Sequence, residues 1–330
     1  NSGTLTSLTM VGGTNATFAP QIDYTQHILF PTLVHHFGVP EACSRLDIER
    51  RGYFPRGGGV VHLGARPATC ADTSDRRPGD DVHPITGMLT PINLTERGHV
   101  CDIYIRSFHA GDVPLRVAQT MAHDAVQQLA YSDATITGNS TNARVLEELR
   151  SITPRVEIIT ESDSASTSIG NGCGILIVAK TSTGCLFGAS ALGKPTTRKN
   201  PSAVLPGPVA REATTELLQT LRQGGCMDDW LQDQIILYMA LAHGTSSILT
   251  GALTRHTRTA IWIATEMTGA QFCVEQQSLN GDSDGDGGSG SARADEKPPA
   301  DHLDPSSYGQ DGYVCGRHLI TCRGISHVAH

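Results

Sequence analysis

The chain has 330 residues, is 38% hydrophobic and carries a formal net charge of −8, with 33 acidic against 25 basic residues. That length and composition suit a folded protein of two globular units with a sizeable core. The acidic balance argues against nucleic-acid binding through bulk positive charge. A nucleic-acid partner would have to be held locally, near a cluster such as Arg45, Arg50, Arg51 and Arg56.

The longest apolar run in the helical stretches, Ile235 to Ala242, is far short of the roughly 20 residues that span a bilayer, so no membrane anchor is expected. The chain opens at Asn1 with neither an initiator Met nor a charged-then-apolar signal pattern, and a leading segment is expected to be missing. Its nine cysteines contain no Cys-x-x-Cys pair and are odd in number, which favours reduced thiols in a reducing compartment.

In chain order, a β-like start precedes "APQIDYTQHILFPTLVHHFG", whose spacing predicts a helix with Pro20 in its first turn and an interruption at Pro31. "CSRLDIERRGYFPRGGGVVHL" predicts two strands around a glycine-rich turn. Residues 65–91, rich in Pro, Asp and Arg, read as a surface loop. A β-α-β-β block follows over 98–194, then a second Pro-rich loop over 194–212. "REATTELLQTLRQGG" and "DDWLQDQIILYMALAHG" predict helices, the second with Asp228 or Asp229 as cap and Gly244 as stop. "GALTRHTRTAIWIATEMTGAQFCVE" reads as turn, helix and strand. Residues 276–330 carry eight acidic and four basic residues in a Gly- and Asp-rich composition, and read as a disordered acidic tail.

Two motif matches fail on their chemistry. "GASALGKP" (188–195) has the glycine and lysine spacing of a phosphate-binding loop but puts Pro195 where a hydroxyl must reach magnesium. "DSDGDG" (282–287) imitates the start of a calcium loop, yet its twelfth position is Arg293 rather than a bidentate glutamate. His35 and His36 point to different helix faces with no third ligand nearby, and read as ordinary histidines.

Three stretches carry side chains that packing alone would not choose. Asp233 and Gln234 sit inside an otherwise core-like helix, a pair that equally fits a solvent-facing stripe. His256 falls one or two residues before an expected helix start, where the positive end of the helix favours phosphate oxygens and disfavours a further cation. An exposed histidine with no role is the blander reading. "GGTNATFAPQIDY" supplies a Gly-Gly turn and a proline-started helix suited to the wall of a ligand site.

Taken together, "RGYFPRGGGVV", "GGTNATFAPQIDYTQ", "PINLTERG", "TSTGCLFGASALGK", "LQDQIILYMALAHG" and "TRHTRTAI" resemble the eukaryotic RNA 3'-terminal phosphate cyclases, in order, from about Gly12 to Glu275. The resemblance implies an α/β fold of repeated β-α-β-α-β-β units forming a larger domain with a smaller inserted α/β domain. It divides the chain into 1–97 and 195–275 of the larger domain, 98–194 as the insertion, and the 276–330 tail. It implies that His256 takes the AMP of ATP and passes it to an RNA 3' end bearing a phosphate, whose neighbouring 2'-hydroxyl then closes a 2',3'-cyclic phosphate. Pro20, Trp230, Asp233 and Gln234 match the nucleotide pocket, with Trp230 standing where relatives commonly have tyrosine. Arg51, Arg56, Gly57, Gly58 and Gly59 belong to the signature turn, a candidate for holding the RNA phosphate; packing of strands is an equal claim on the glycines.

The cofactors implied are ATP with Mg2+ or Mn2+, metal ligands being unassigned; the implied partners are RNA 3' ends, with neither a membrane nor DNA as main substrate. A nuclear location follows from the same resemblance, with the cytoplasm as alternative. Relatives carry a further repeat before the Gly-Gly-Thr-Asn motif, so the chain is expected to be a shortened cyclase. The rival readings are a noncatalytic cyclase-like protein binding RNA or ribosome-assembly partners, an inactive fragment, and an α/β synthase acting on a small phosphorylated metabolite.

Overall fold

Alternation and punctuation shape the first unit. The computed structural model describes residues 5–17, 19–66, 88–131, 140–161, 168–197, 200–277 and 316–327. Strand β1 (Thr6–Gly12) is followed by α1 (Ile22–Tyr24), a π turn over Thr25–Leu29 and α2 (Phe30–Phe37). Pro31 occupies the first turn of α2, immediately after the π turn, so the interruption expected there takes the form of a change in helical pitch. Gly38, at φ 69°, closes α2 in the left-handed conformation that glycine adopts freely. Strands β2 (Ser44–Gly52) and β3 (Gly59–Ala65) make the hairpin that the sequence predicts, and β1 pairs antiparallel with β3 from Thr6 opposite Ala65 to Gly12 opposite Gly59.

The middle of the chain runs β4 (Asn93–Leu94), β5 (Val100–Ala110), α3 (Leu115–Tyr131), α4 (Ser140–Arg150), β6 (Arg155–Glu161), β7 (Ser168–Ile169), β8 (Gly172–Thr181) and β9 (Leu186–Leu192). Four of these strands form a sheet in the order β6-β5-β8-β9. Strand β8 is buried almost throughout because both faces of this sheet are covered. Tyr24 and Ile28 lie against Gly188 of β9, so close that any side chain there would collide with them. On the helical side, α3 packs on β5 and β8. The short β7 joins the first sheet beside β2.

The Pro-rich stretch read as a loop over 194–212 is structured instead. It holds the hairpin β10 (Pro195–Thr197) and β11 (Asn200–Val204) and then the first turns of α5 (Pro206–Gln223). Pro206 and Pro208 sit at a helix start, where a missing N–H leaves no hydrogen bond unmade. Helix α5 packs against α3, β8 and β9, so the 98–194 block shares a helix with the segment after it. One hydrophobic cluster runs from Tyr24 through Ile175 and Leu217 to Ile320.

The last unit comprises α6 (Leu231–Gln234), α7 (Ile236–Leu241), β12 (Thr245–Thr250), α8 (Arg255–Thr268), β13 (Gln271–Gln277) and β14 (Arg317–Arg323). Its sheet has the order β13-β14-β12-β4. This corrects the expectation of a disordered tail at two places: Gln276 and Gln277 belong to β13, and 317–323 form a strand whose His318, Ile320 and Cys322 are buried. The calcium-loop imitation at 282–287 lies outside the described residues, as do residues 67–87 of the expected surface loop. The architecture is mixed α/β, and no helix among the described residues is long and apolar enough to cross a membrane.

Candidate active site

Three backbones meet where the glycine-rich turn closes. A Cβ on Gly52 would lie 2.6 Å from the carbonyl oxygen of Gly12 and 2.7 Å from that of Gly57; one on Gly59 would lie 2.7 Å from Gly52 N and 2.9 Å from Gly12 O. These are backbone atoms and cannot swing aside, so only glycine fits at 52 and 59. Gly57 and Gly58 take positive φ values of 60° and 72°. Thr14 straps the crossing from outside, its N–H donating to Gly52 O at 2.9 Å and Gly52 N–H donating to its hydroxyl at 3.1 Å. Packing thus accounts for the glycines, and it also leaves Gly59 lining a cleft of about 460 Å³ together with Gly12, Gly13, Pro20 and Gln234.

Arg51, next to that crossing, is buried. Its guanidinium donates to both Asp23 oxygens, at 2.5 and 2.8 Å, and its Nε lies 3.1 Å from Glu161. Arg106 approaches the same Asp23 carboxylate at 3.1 Å. Burial by itself would raise the Asp23 carboxyl, but the two guanidinium groups hold it below the ordinary aspartate value. Arg51 therefore spends its donors inside the protein, whereas Arg56, in the turn, is exposed.

A second knot forms around Asp228, which is 1% exposed. Its Oδ1 accepts from the Tyr24 hydroxyl at 2.6 Å and from the N–H groups of Trp230 and Leu231 at 3.0 and 2.9 Å; its Oδ2 accepts from Gly188 N–H at 2.6 Å. One carboxyl thus joins α1, β9 and the start of α6. Burial pushes it up to about 6 despite those four donors. The cap expected of Asp228 is present in substance, since it satisfies the first N–H groups of α6. The helix that was to run on to Gly244 is broken at Ile235 into α6 and α7.

The break orients the polar residues of α6. Gln234 folds back, its Nε2 donating to Trp230 O at 2.8 Å, and lines the cleft shared with Pro20. The Trp230 indole N–H donates to Glu216 Oε1 at 3.0 Å, and Ser190 N–H donates to Glu216 Oε2 at 3.0 Å. Burial, aided by the nearby Asp228 and Asp229, lifts the Glu216 carboxyl to about 7 against those two donors. Asp233, half-buried, is likewise raised by desolvation, with His256 pulling the other way.

His256 is the second residue of α8, two to three residues further into the helix than its expected place before the start. Thr254 is the cap: its hydroxyl accepts from Thr257 N–H at 3.0 Å. The side chain of His256 is exposed, while its support is not. Gln232, fully buried, accepts at Oε1 from Thr254 N–H at 3.3 Å and from the Thr257 hydroxyl at 2.8 Å, and its Nε2 donates to Ala252 O at 3.2 Å and to Asp229 at 3.4 Å. One amide thus fixes the turn that delivers His256 and ties it to the helix carrying Asp233.

The fold therefore places Pro20, Gln234 and Gly59 on one cleft and Asp233 within electrostatic reach of His256. Trp230 stands on a separate cleft of about 790 Å³; Gln21 lines both. Sequence reasoning missed Gln232, Glu216 and Gln21, whose partners Thr254, Trp230 and the Ile175 carbonyl lie at separations in the chain that no local pattern reveals.

Comparison with known proteins identifies the family. A sequence model described as RNA 3'-terminal phosphate cyclase matches residues 1–274. The chain is 33% identical over 272 residues to a probable RNA 3'-terminal phosphate cyclase of Dictyostelium discoideum, covering 82% of this chain and 52% of that protein. It is 34% identical over 278 residues to the cyclase of Drosophila melanogaster, with 84% and 63% covered, and 31% identical over 258 residues to that of Staphylothermus marinus, with 78% and 59% covered. It thus spans between about half and under two thirds of these relatives' length. The family match covers residues 1–274, and this protein belongs to the RNA 3'-terminal phosphate cyclase family.

Proposed function

We propose that the chain performs ATP-dependent conversion of an RNA 3'-terminal phosphate to a 2',3'-cyclic phosphate through a histidine-bound AMP. The observation that carries this reading is the setting of His256: an exposed imidazole on the capped first turn of α8, a turn that Gln232 fixes through Thr254 and Thr257, with the Asp233 carboxyl within electrostatic reach. An imidazole nitrogen attacks the α-phosphorus of ATP, forming a P–N bond as the bond to pyrophosphate breaks. An oxygen of the RNA 3'-phosphate then displaces the imidazole, and the adjacent 2'-hydroxyl, losing its proton, attacks the 3'-phosphorus and expels AMP.

In this reading Pro20 and Gln234 flank the nucleotide, Asp233 orients the imidazole, and the start of α8 turns its free N–H groups to the phosphates. The Trp230 indole serves as a platform for a base. Among the described residues no group of three or more His, Cys, Asp or Glu side chains is arranged to hold a metal ion. A divalent cation, Mg2+ or Mn2+, would arrive on the triphosphate, whose charge it spreads. RNA substrates and a nuclear setting belong to the same proposal.

The test is transfer of label from α-labelled ATP to the protein. Acid-labile label that disappears in His256→Ala supports the reading. Equal labelling of both proteins, or none on the folded parent, sinks it in favour of a cyclase-like binding protein.

A further inference from the structure

Two buried thiols meet outside the clefts described above. Cys185 stands immediately before β9, after the turn 182–184, and Cys226 precedes Asp228 by two residues; both are 1% exposed. The bond from Gly188 N–H to Asp228 at 2.6 Å draws the two segments together. Cys226 has little room to retreat. Its N–H donates to Leu249 O of β12 at 2.7 Å, and a Cβ on the neighbouring Gly225 would lie 2.5 Å from Gly251 N.

The surroundings of Cys185 favour its thiolate. A hydrogen bond from the Cys226 thiol, helped by the Thr183 and Thr181 hydroxyls and the Arg97 guanidinium, holds Cys185 below the usual thiol range against the opposing effect of burial. Cys226 keeps its proton and is pushed up by the same contact. Arg97 has charge to spare: its Nη2 donates to Glu148 at 3.3 Å, while Nη1 is buried without a hydrogen-bond partner among the described residues. The hydroxyl of the exposed Thr183 lies 3.4 Å from the Cys185 sulfur, so local opening of the 182–184 turn uncovers that sulfur to a small oxidant.

We propose that Cys185 and Cys226 form a redox modification site, which a peroxide converts to a reversible disulfide that displaces the segment carrying Trp230, Asp233 and Gln234. The Cys185 thiolate sulfur attacks one peroxide oxygen; the O–O bond breaks, water leaves and Cys185 becomes a sulfenic acid. The Cys226 sulfur, giving up its proton, then attacks the Cys185 sulfur; the S–O bond breaks and a second water leaves. Two thiols lose two electrons and one peroxide becomes two waters. A disulfide holds its sulfurs about 2.05 Å apart, closer than a hydrogen bond does, so the two segments must draw together. Asp228, whose carboxyl is shared by Tyr24, Gly188, Trp230 and Leu231, passes that shift to α6. The effect on nucleotidyl transfer rests on the cyclase reading above; the disulfide does not.

The whole chain, Cys185→Ser and Cys226→Ser are each treated with hydrogen peroxide, alkylated under denaturing conditions and mapped by mass spectrometry. ATP-dependent labelling of His256 is timed on the same samples before and after dithiothreitol. The expected result is a peptide pair joined through Cys185 and Cys226 in the parent and lost on reduction. Labelling should be slowed about threefold or more in the linked form, recover with dithiothreitol, and stay unslowed by peroxide in both variants. Alkylation of both thiols after peroxide has oxidised the exposed Cys101 and Cys273, or linkage of either thiol to another cysteine, overturns the site. A linked parent that labels at its reduced rate overturns the displacement of α6. Absence of labelling on the reduced parent, with the linked peptide still formed by peroxide, refutes the cyclase reading and leaves the disulfide standing. The linkage is mapped on the parent, so a variant that folds poorly does not obscure it.

Discussion

Replacing Gln232 with leucine tests whether the buried amide is what places His256. Leucine fills similar space but leaves Thr254 N–H and Ala252 C=O without the partners they have at 3.3 and 3.2 Å, whereas the Thr257 hydroxyl keeps Thr254 at 2.9 Å. An unsatisfied buried backbone group costs about 1–3 kcal/mol, and both lost bonds are long, so the total comes to about 2–3 kcal/mol. That loss lowers the melting temperature by roughly 4–10 °C. A shift of about 1 Å at the turn before α8 would slow nucleotidyl transfer up to about 100-fold. Thermal melting and the rate of label transfer from α-labelled ATP, both on Gln232→Leu, read the two effects. Gln232→Glu keeps the acceptor for Thr254 and Thr257 but turns an oxygen toward Ala252 O and Asp229, and should also destabilise. A leucine variant that melts within about 1 °C of the parent and labels at the parental rate would refute the reasoning.

Arg51→Met should cost about 3–5 kcal/mol in urea unfolding, because it leaves the buried Asp23 carboxylate with Arg106 alone. Since the folded state holds Asp23 below its usual 3.8, the stability it provides is complete above that value and fades as pH falls through the folded value. The variant should lose stability at higher pH than the parent, and equal midpoints from pH 2 to 7 would count against a structural role for Arg51. Glu216 has the opposite sign: its folded value of about 7 against an ordinary 4.5 means that the native state prefers the protonated form, so stability falls as pH rises between those values. Glu216→Gln should flatten the decline of unfolding midpoint between pH 5 and 8 without abolishing it, because Asp228, near 6, acts in the same direction. An unchanged slope would show that Glu216 does not titrate in this range.

Much of this was legible because it is local. The β2–β3 hairpin, β5, α3, β8 and the strand–helix order around His256 follow from alternation, spacing and turn residues. The spacing puts the helix start after His256, whereas the hydrogen bond from Thr257 N–H to the Thr254 hydroxyl makes Thr254 the cap and starts α8 at Arg255. Strand β14 was missed although His318, Ile320 and Cys322 alternate with Leu319 and Thr321, because the acidic stretch before it dominated the composition. The site's supports were beyond reach for a different reason. Gln232, Glu216 and Gln21 are ordinary polar residues until the fold buries them against Thr254, Trp230 and the Ile175 carbonyl, and no short-range pattern encodes those meetings.

Strand β14 runs antiparallel to both β12 and β13, which lie parallel to each other and never touch along their edges. The unit β12-α8-β13, which presents His256, is therefore an open clasp whose middle tooth comes from a point 40 residues after β13 ends. Closing a loop of that length carries an entropic cost that grows only slowly with further residues, so the length of the connection is nearly free to vary while its closure is not optional. Local helix formation at α8 and its packing on α6 and α7 can come early, but β12 and β13 are joined into one sheet only when a distant piece of chain arrives. Completion of this sheet is then a search over long sequence separation, the slow kind of contact.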